Sequence, residues 1–147
     1  MSFYRFRSVW TLRTPAASAV FDIVTDPGTY PLWWPDIHGV GRVDDDTAEV
    51  VCRSLLPYAL TFRMHRREQD LTAGRMLIGL TGDLEGVTRG RFLPVGAGVR
   101  LEISQDVVVN KWLLRTLSPV ARPVFRANHA VMMWRGQLGL RGFLRGL

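Results

Sequence analysis

Between residues 37 and 109 the sequence repeats one pattern, in which short segments of alternating apolar and polar residues are separated by turn residues. Alternation with a period of two puts the apolar side chains on one face of a β-strand. The clearest segment places Leu60, Phe62 and Met64 on the same face. Gly, Pro or Asp residues between the segments predict hairpins. The pattern therefore predicts six antiparallel strands, at residues 37–43, 47–54, 58–69, 74–82, 84–93 and 97–109.

One more strand and two short helices are predicted before these segments. Residues 4–13 alternate strictly and indicate a half-buried first strand. Thr14 and Pro15 supply an N-cap and a proline at the first helical position, so a helix is predicted to begin there and to end near Asp26. The prolines around residues 29–34 (TYPLWW) restrict this stretch to a single helical turn or a short second helix.

The apolar spacing becomes helical after residue 110 and predicts a long C-terminal helix. Ser118-Pro119 and Pro123 indicate a kink in it, or a separate short helix before it. Its apolar stripe comprises Leu113, Leu114, Leu117, Ala121, Val124, Phe125, Asn128, Val131, Met132 and Leu138. A seven-stranded antiparallel sheet covered by one helix must curve around it. The predicted class is therefore α+β, a single domain over residues 1–147 with an internal hydrophobic cavity.

Composition and charge exclude several classes of protein. No long uncharged apolar run exists, so we expect no stable membrane insertion, and arginines in the first segment argue against a signal peptide and favour the cytoplasm. The net charge is +6, but the arginines are spread along the chain at alternate positions, which is typical of the outer face of a sheet rather than of a nucleic-acid site. The single cysteine and three scattered histidines predict no metal and no cofactor.

Four stretches carry a resemblance to a known family. They are Trp10 in the first strand, the Pro15-Ala16 helix start, DPGTYPLWWP at 26–35 and RPVFRANHAVMMWRGQLGL at 122–140. Together they resemble the START-like (SRPBCC) superfamily, and within it the polyketide cyclase/dehydrase-like branch. The resemblance covers nearly the whole chain. It implies the helix-grip fold, in which a curved seven-stranded sheet wraps around the C-terminal helix and a hydrophobic tunnel lies between them, capped by loops and the short second helix.

The alternation of the strands, the helix stripe and the expected place of Trp34 at the mouth give a set of residues expected to line the cavity. The set is Trp10, Trp34, Leu60, Phe62, Met64, Ile78, Leu80, Thr88, Leu101, Ile103, Gln105, Phe125, Asn128 and Met132. Inward polar residues are the informative ones, because a buried polar group needs a partner. They are Ser8, Thr88, Gln105 and Asn128, with Arg66 at the rim. Asn128 interrupts the helix stripe, so it either bonds the sheet backbone or points into the cavity.

Three orientations follow from helical geometry. His129 lies about 100 degrees from Asn128 around the helix and is expected to leave the centre of the stripe, which argues against its acting as a general base. Of Met132 and Met133, only Met132 is expected to face the cavity. Adjacent tryptophans on one helical turn are expected to point in different directions, with Trp33 in the core and Trp34 facing the pocket from a lid at its mouth.

Three functions remain open. The first is binding of a small hydrophobic molecule, such as a polyketide, a lipid or an aromatic metabolite. The second is an aromatase/cyclase or dehydratase that acts by positioning a reactive chain, although the sequence contains no assembled catalytic motif. The third is an interaction module that uses the arginine-rich outer face to meet an acidic partner. A homodimer is compatible with each of them.

Overall fold

The computed structural model describes residues 3–15, 17–56, 59–110 and 120–147. Strand β1 (Phe3–Arg13) is followed by helix α1 (Ala17–Val24), a 3-10 turn (Pro27–Thr29) and the one-turn helix α2 (Tyr30–Trp33). Six strands come next, and the chain ends in helix α3 (Ala121–Arg145). The six strands are β2 (Ile37–Asp44), β3 (Thr47–Cys52), β4 (Leu60–Asp70), β5 (Arg75–Gly82), β6 (Leu84–Val95) and β7 (Gly98–Val109).

The strands form one curved antiparallel sheet in the order β1-β7-β6-β5-β4-β3-β2. Each strand from β2 to β6 pairs with the next one along the chain, and β7 also pairs with β1. The pairing leaves β1 and β2 as the two edges of the sheet. Inward residues of neighbouring strands lie opposite each other, as Trp10 lies opposite Leu101, and this places the core between the sheet and α3.

Glycines allow α2 to dock directly on α3. A Cβ atom at Gly139 would lie 1.7 Å from the carbonyl oxygen of Trp33, and one at Gly136 would lie 2.6 Å from the Trp34 ring. Only glycine permits so close an approach of backbone to a helix. The segment after α2 is held to the same helix by an ion pair between buried Asp36 and Arg135, at 3.3 Å. These contacts hold α2 and the segment after it against α3.

The predicted α+β class, the seven antiparallel strands, the two short helices after the first strand and the long C-terminal helix are confirmed. Element ends differ from the prediction by a few residues at most, except where residues 57–58 and 111–119 lie outside the described part. The predicted helical stripe over 113–117 and the break at Ser118-Pro119 fall in the second of these gaps. Pro123 does not kink α3, because it lies in the first turn, where backbone N–H groups have no helical acceptor.

The stripe on α3 was only partly predicted. Val124 and Leu138 are more than two-fifths exposed, whereas Gly136, Leu140 and Leu144 are buried. The buried residues from Ala121 onward are three to five positions apart. Not all of them are large and apolar, because glycine is needed where α2 docks. Choosing stripe residues by apolar character therefore missed the glycine face.

Candidate functional site

A cavity of about 110 Å³ lies between the concave face of the sheet and α3. Its walls come from all seven strands and from α1, α2 and α3. Four of the five methionines of the chain line it: Met64, Met76, Met132 and Met133. Methionine side chains are flexible and polarizable, so a wall built from them can adjust to an apolar guest. The cavity has the size of one aromatic ring, comparable with an apolar cavity that binds benzene.

Trp33, the last residue of α2, and Trp34, which follows it, both line this cavity with their rings side by side. The centroids of Trp33 and Trp34 are 5.3 Å apart with the planes 18° from parallel, and Trp10 meets both rings edge-on. The expectation that the two rings point in different directions was wrong. The helix ends at Trp33, and Trp34 has an extended backbone (φ −109°, ψ 102°), so helical geometry does not apply to the pair.

The tryptophan pair and Tyr30 are each tied by a hydrogen bond. Trp34 Nε1 donates to the carbonyl of Met132 at 2.9 Å, Trp33 Nε1 donates to Thr29 Oγ1 at 3.2 Å, and the Tyr30 hydroxyl donates to the carbonyl of Val24 at 2.5 Å. Burial raises the pKa of Tyr30, so its hydroxyl keeps its proton. The rings therefore form a rigid apolar wall.

Asn128 bonds the backbone of the loop after β3. Its Oδ1 accepts from the amides of Leu55 and Leu56, at 2.7 and 3.2 Å. Its Nδ2 lies 3.9 Å from the Met132 sulfur, and the residue also lines the cavity. Asn128 therefore has both of the expected placements, because its oxygen bonds the backbone and its side chain also forms part of the cavity wall.

A row of three polar side chains crosses the apolar lining. His129 Nε2 lies 2.5 Å from Gln105 Oε1, and Gln105 Nε2 donates to Thr88 Oγ1 at 3.0 Å. An amide oxygen can only accept, so His129 carries its proton on Nε2. Since the Thr88 oxygen already accepts from Gln105, its own proton is left to be donated. The row therefore offers the cavity one hydroxyl donor.

His129 was expected to leave the centre of the helix stripe, but it still lines the cavity. Its ring stacks on Phe6, with centroids 3.7 Å apart and planes 6° from parallel, and it lines the cavity. Positions 128, 129, 132 and 133 all face the sheet because its curved face wraps around more of the helix than a flat sheet would. Burial lowers the pKa of His129 to about 4, so the ring is neutral at pH 7.

An open cleft of about 570 Å³ adjoins the cavity and shares Met64, Met76 and Ile78 with it. The cleft lies between the end of α1 and strands β2 to β5. Six carboxylates line it, against two arginines. The carboxylates are Asp22, Asp26, Asp44, Asp45, Asp46 and Glu68, and the arginines are Arg42 and Arg66. An open side of the cavity therefore lies beside α1 and the β2–β3 hairpin. That α2 acts as a lid stays a prediction.

Thirteen of the fourteen residues predicted for the cavity line it in the structure; their role in binding stays a prediction. Leu101 is the exception. It is fully buried opposite Trp10 and Phe92 and contributes to the core instead. Arg66 lies at the cleft, where it bonds the carbonyl of Asp45, and Ser8 lies away from the cavity near the edge of the sheet.

Sequence reasoning missed ten lining residues: Val24, Tyr30, Trp33, Ile37, Val50, Cys52, Met76, Leu84, His129 and Met133. The alternation itself gives Met76, which precedes Ile78 and Leu80 by two and four residues, and also Val50 and Cys52. Tyr30 and Trp33 have no such signal, since they depend on how α2 docks. Burial raises the pKa of Cys52 to about 12, so this thiol is not a nucleophile at neutral pH.

The outer face of the sheet carries the predicted arginines, and many of them pair with carboxylates. Asp106 lies within 3.4 Å of Arg5 and Arg89, and Glu102 lies within 3.7 Å of Arg91 and Arg100. Such exposed pairs contribute little stability, but they reduce the positive charge of this face. Among the described residues no group of histidine, cysteine, aspartate and glutamate is arranged to hold a metal, and no helix there is long and apolar enough to span a membrane.

No protein-family model matches the chain, and neither does any curated protein. Solved structures do resemble it. The Zhui aromatase/cyclase from Streptomyces sp. R1128 superposes with a TM-score of 0.80 at 13% identity, over 97% of this chain and 94% of that one. A START superfamily protein from Mycobacterium smegmatis gives 0.70 at 18% identity, over 99% of both chains.

A third similar structure is the di-domain ARO/CYC BexL from the BE-7585A biosynthetic pathway, with a TM-score of 0.71 at 15% identity. This chain is covered over 95% of its length and spans about half of that one (49%). The three likenesses confirm the predicted resemblance at the level of the fold, which is the helix-grip fold of START-like proteins. At such low identity they carry no residue-level correspondence.

Proposed function

We propose that this protein, acting as a single domain, binds a small uncharged hydrophobic molecule that carries an aromatic or similar ring and a hydrogen-bond acceptor such as a carbonyl. The carrying observation is the cavity itself, an apolar enclosure crossed by one polar row. The ring occupies the cavity against Trp33 and Trp34. The carbonyl accepts from the hydroxyl of Thr88, whose oxygen is already held by Gln105.

Size and charge restrict the ligand further. The cavity holds one ring, so any larger part of the molecule extends past Met64, Met76 and Ile78 into the cleft. The carboxylates of the cleft disfavour an anionic group there, which argues against fatty acids and aromatic acids as ligands. Polyketides with neutral ends, aromatic ketones and phenols satisfy these conditions.

Acetophenone and ethylbenzene test the proposed hydrogen bond, because they have nearly the same shape and only the first is an acceptor. We expect wild type to bind acetophenone about fivefold to tenfold more tightly than ethylbenzene, corresponding to about 1 kcal/mol for one buried hydrogen bond. Thr88→Val should abolish this preference. Thr81→Val, on the exposed outer face, is the matched control and should keep it. An equal preference in wild type and Thr88→Val would contradict the proposed role of Thr88.

Benzoate provides the test of charge. We expect it to bind more weakly than acetophenone, because burial of its carboxylate beside Thr88 is costly, and the part of the difference that shrinks with added salt reports the charge of the cleft. Benzoate binding that equals or exceeds acetophenone binding at low salt would show that the carboxylates do not select the ligand.

An aromatase/cyclase or dehydratase is the second candidate function, and the likeness to aromatase/cyclase structures favours it. In this role the row of His129, Gln105 and Thr88 would orient the carbonyls of a reactive chain, and positioning would supply much of the rate. The pKa of His129, about 4, makes it a weak base at neutral pH. Turnover of a poly-β-ketone thioester that is lost in Gln105→Leu, with the fold intact, would support catalysis over binding alone.

A further inference from the structure

Strand β1 is an edge of the sheet, and part of its backbone is already bonded from outside the sheet. The amide of Thr11 donates to Gln137 Oε1 at 2.9 Å, and its carbonyl accepts from Arg141 Nε at 3.0 Å. Both backbone groups of Thr11 therefore face away from β7. In an antiparallel strand this orientation recurs every second residue, so the backbone groups of Val9, Arg7 and Arg5 face the same way.

The free part of this edge borders a groove. Beyond Thr11 a groove of about 330 Å³ separates β1, around Arg7 and Val9, from α3, around Ala130 and Trp134. Within the described residues, no hydrogen bond from outside the sheet reaches the backbone of Arg7 or Val9. Unpaired edge groups of this kind are a template for a further strand.

The groove is flanked by exposed apolar side chains. Trp134 is 59% exposed and Val9 is 51% exposed, and both line the groove. Trp134 does not line the cavity, so its exposure has no part in the proposed ligand site. A large exposed apolar side chain beside an unpaired strand edge is typical of a site that is covered by a partner.

The charge of the groove is positive. Arg7 and Arg126 line it, and no carboxylate does among the residues that the structure describes. Arg126 lies over the rings of Tyr4 and Phe6, at 5.8 and 6.0 Å from their centroids, and so presents its charge beside the edge. The groove therefore complements an acidic partner.

We infer that the edge of β1 from Arg5 to Val9 binds an extended acidic segment of a partner protein, which adds to the sheet as an eighth strand. In an added strand alternate side chains face opposite sides. Acidic side chains meet Arg7 on the outer face, next to Arg5, which Asp106 already pairs, and apolar side chains lie against Trp134 and α3. The groove shares Trp10, His129 and Met133 with the cavity wall, but Arg5, Arg7 and Val9 do not line the cavity. The inference does not depend on the proposed function.

A second copy of the chain fits the edge less well. Antiparallel pairing of two β1 edges centred on Phe6 would bring Arg5 of one copy against Arg7 of the other, and like charges on paired strands are destabilising. The partner is therefore expected to be a different, acidic chain.

Two designed peptides test the inference, acetyl-EVEVEVE-amide and its charge-reversed counterpart acetyl-KVKVKVK-amide. Backbone amide NMR with hydrogen exchange measures binding. We expect the acidic peptide to shift the Arg5, Arg7 and Val9 amides and to slow their exchange, with at least tenfold tighter binding than the basic peptide. Equal binding of both peptides, or shifts confined to the cavity residues, would overturn the inference.

Variants separate strand addition from nonspecific attraction. Trp134→Ser should weaken the acidic peptide about tenfold, whereas Leu138→Ser, an exposed apolar residue on the same helix outside the groove, should not. Val9→Pro removes an edge-facing N–H without removing a hydrogen bond to β7. In this variant the acidic peptide should no longer slow the exchange of the Arg7 amide, while the thermal midpoint shows that the chain is folded. Unchanged binding of the acidic peptide to Trp134→Ser would overturn the inference. A dimer detected by light scattering that Val9→Pro dissociates would also overturn it and would show that a second copy of the chain occupies the edge.

Discussion

Replacing Gly139 by alanine should destabilise this protein, although the same change stabilises an ordinary helix. A Cβ at this position would lie 1.7 Å from the carbonyl oxygen of Trp33. Nonbonded atoms pack at roughly 3.5 Å, so α2 would have to move by about 2 Å. Overpacking of this kind costs about 1–3 kcal/mol, and the displaced tryptophans lose further apolar contact. Against this, alanine favours a helix over glycine by about 1 kcal/mol. The expected net loss is about 2 kcal/mol.

Gly142→Ala is the matched control. Gly142 lies three residues further along the same helix, is exposed, and would place its Cβ no closer than 4.0 Å to another atom, at the end of Arg145. It should gain up to about 1 kcal/mol. Urea unfolding followed by circular dichroism measures both changes, and for a chain of this length each kcal/mol corresponds to roughly 2–4 °C in the thermal midpoint. If Gly139→Ala stabilises the protein as much as Gly142→Ala does, α2 does not dock on α3 as described.

Two further predictions concern the polar groups around the cavity. Asn128→Ala should lower the free energy of unfolding by about 1–3 kcal/mol, because the amides of Leu55 and Leu56 lose their acceptor. Hydrogen exchange of these two amides should become faster, and unchanged exchange would refute the two hydrogen bonds. Because the pKa of His129 falls from 6.5 to about 4 on folding, the unfolded chain binds more protons between these values. The free energy of unfolding should therefore drop as the pH falls from about 6.5 to 4. In His129→Gln this part of the pH dependence should disappear. A pKa of His129 near 6.5, measured by NMR, would contradict the burial of its ring.

The sheet could be predicted because its signal is local. Alternation along β4 and β7, and turn residues between strands, depend only on neighbours in the sequence. Twelve of the thirteen correctly placed cavity residues, all except Trp34, followed from the same period of two and from the helix stripe. The antiparallel order of β2 to β7 then required only that consecutive strands pair.

The wall made by α2 could not be predicted, because it depends on a tertiary contact. Gly136 and Gly139 look like weak points in a helix until the Trp33 carbonyl and the Trp34 ring are placed against them. The direction of Trp34 depends on the end of α2, one residue earlier, which propensity does not fix to that accuracy. His129 was misplaced for a related reason, since the width of the buried helix face depends on the curvature of the sheet.

The most direct test of the central claim uses the methionines as reporters. Four line the cavity, and Met1 lies outside the described residues. With methionine methyl groups labelled with ¹³C, titration with acetophenone should shift the signals of Met64, Met76, Met132 and Met133 to saturation. Burial of roughly 200 Å² of ring surface contributes about 5 kcal/mol, and the cost of association offsets much of it, so the dissociation constant should be on the order of 1 mM or weaker. Four methyl signals that stay unmoved up to the solubility limit would contradict a ligand cavity between the sheet and α3.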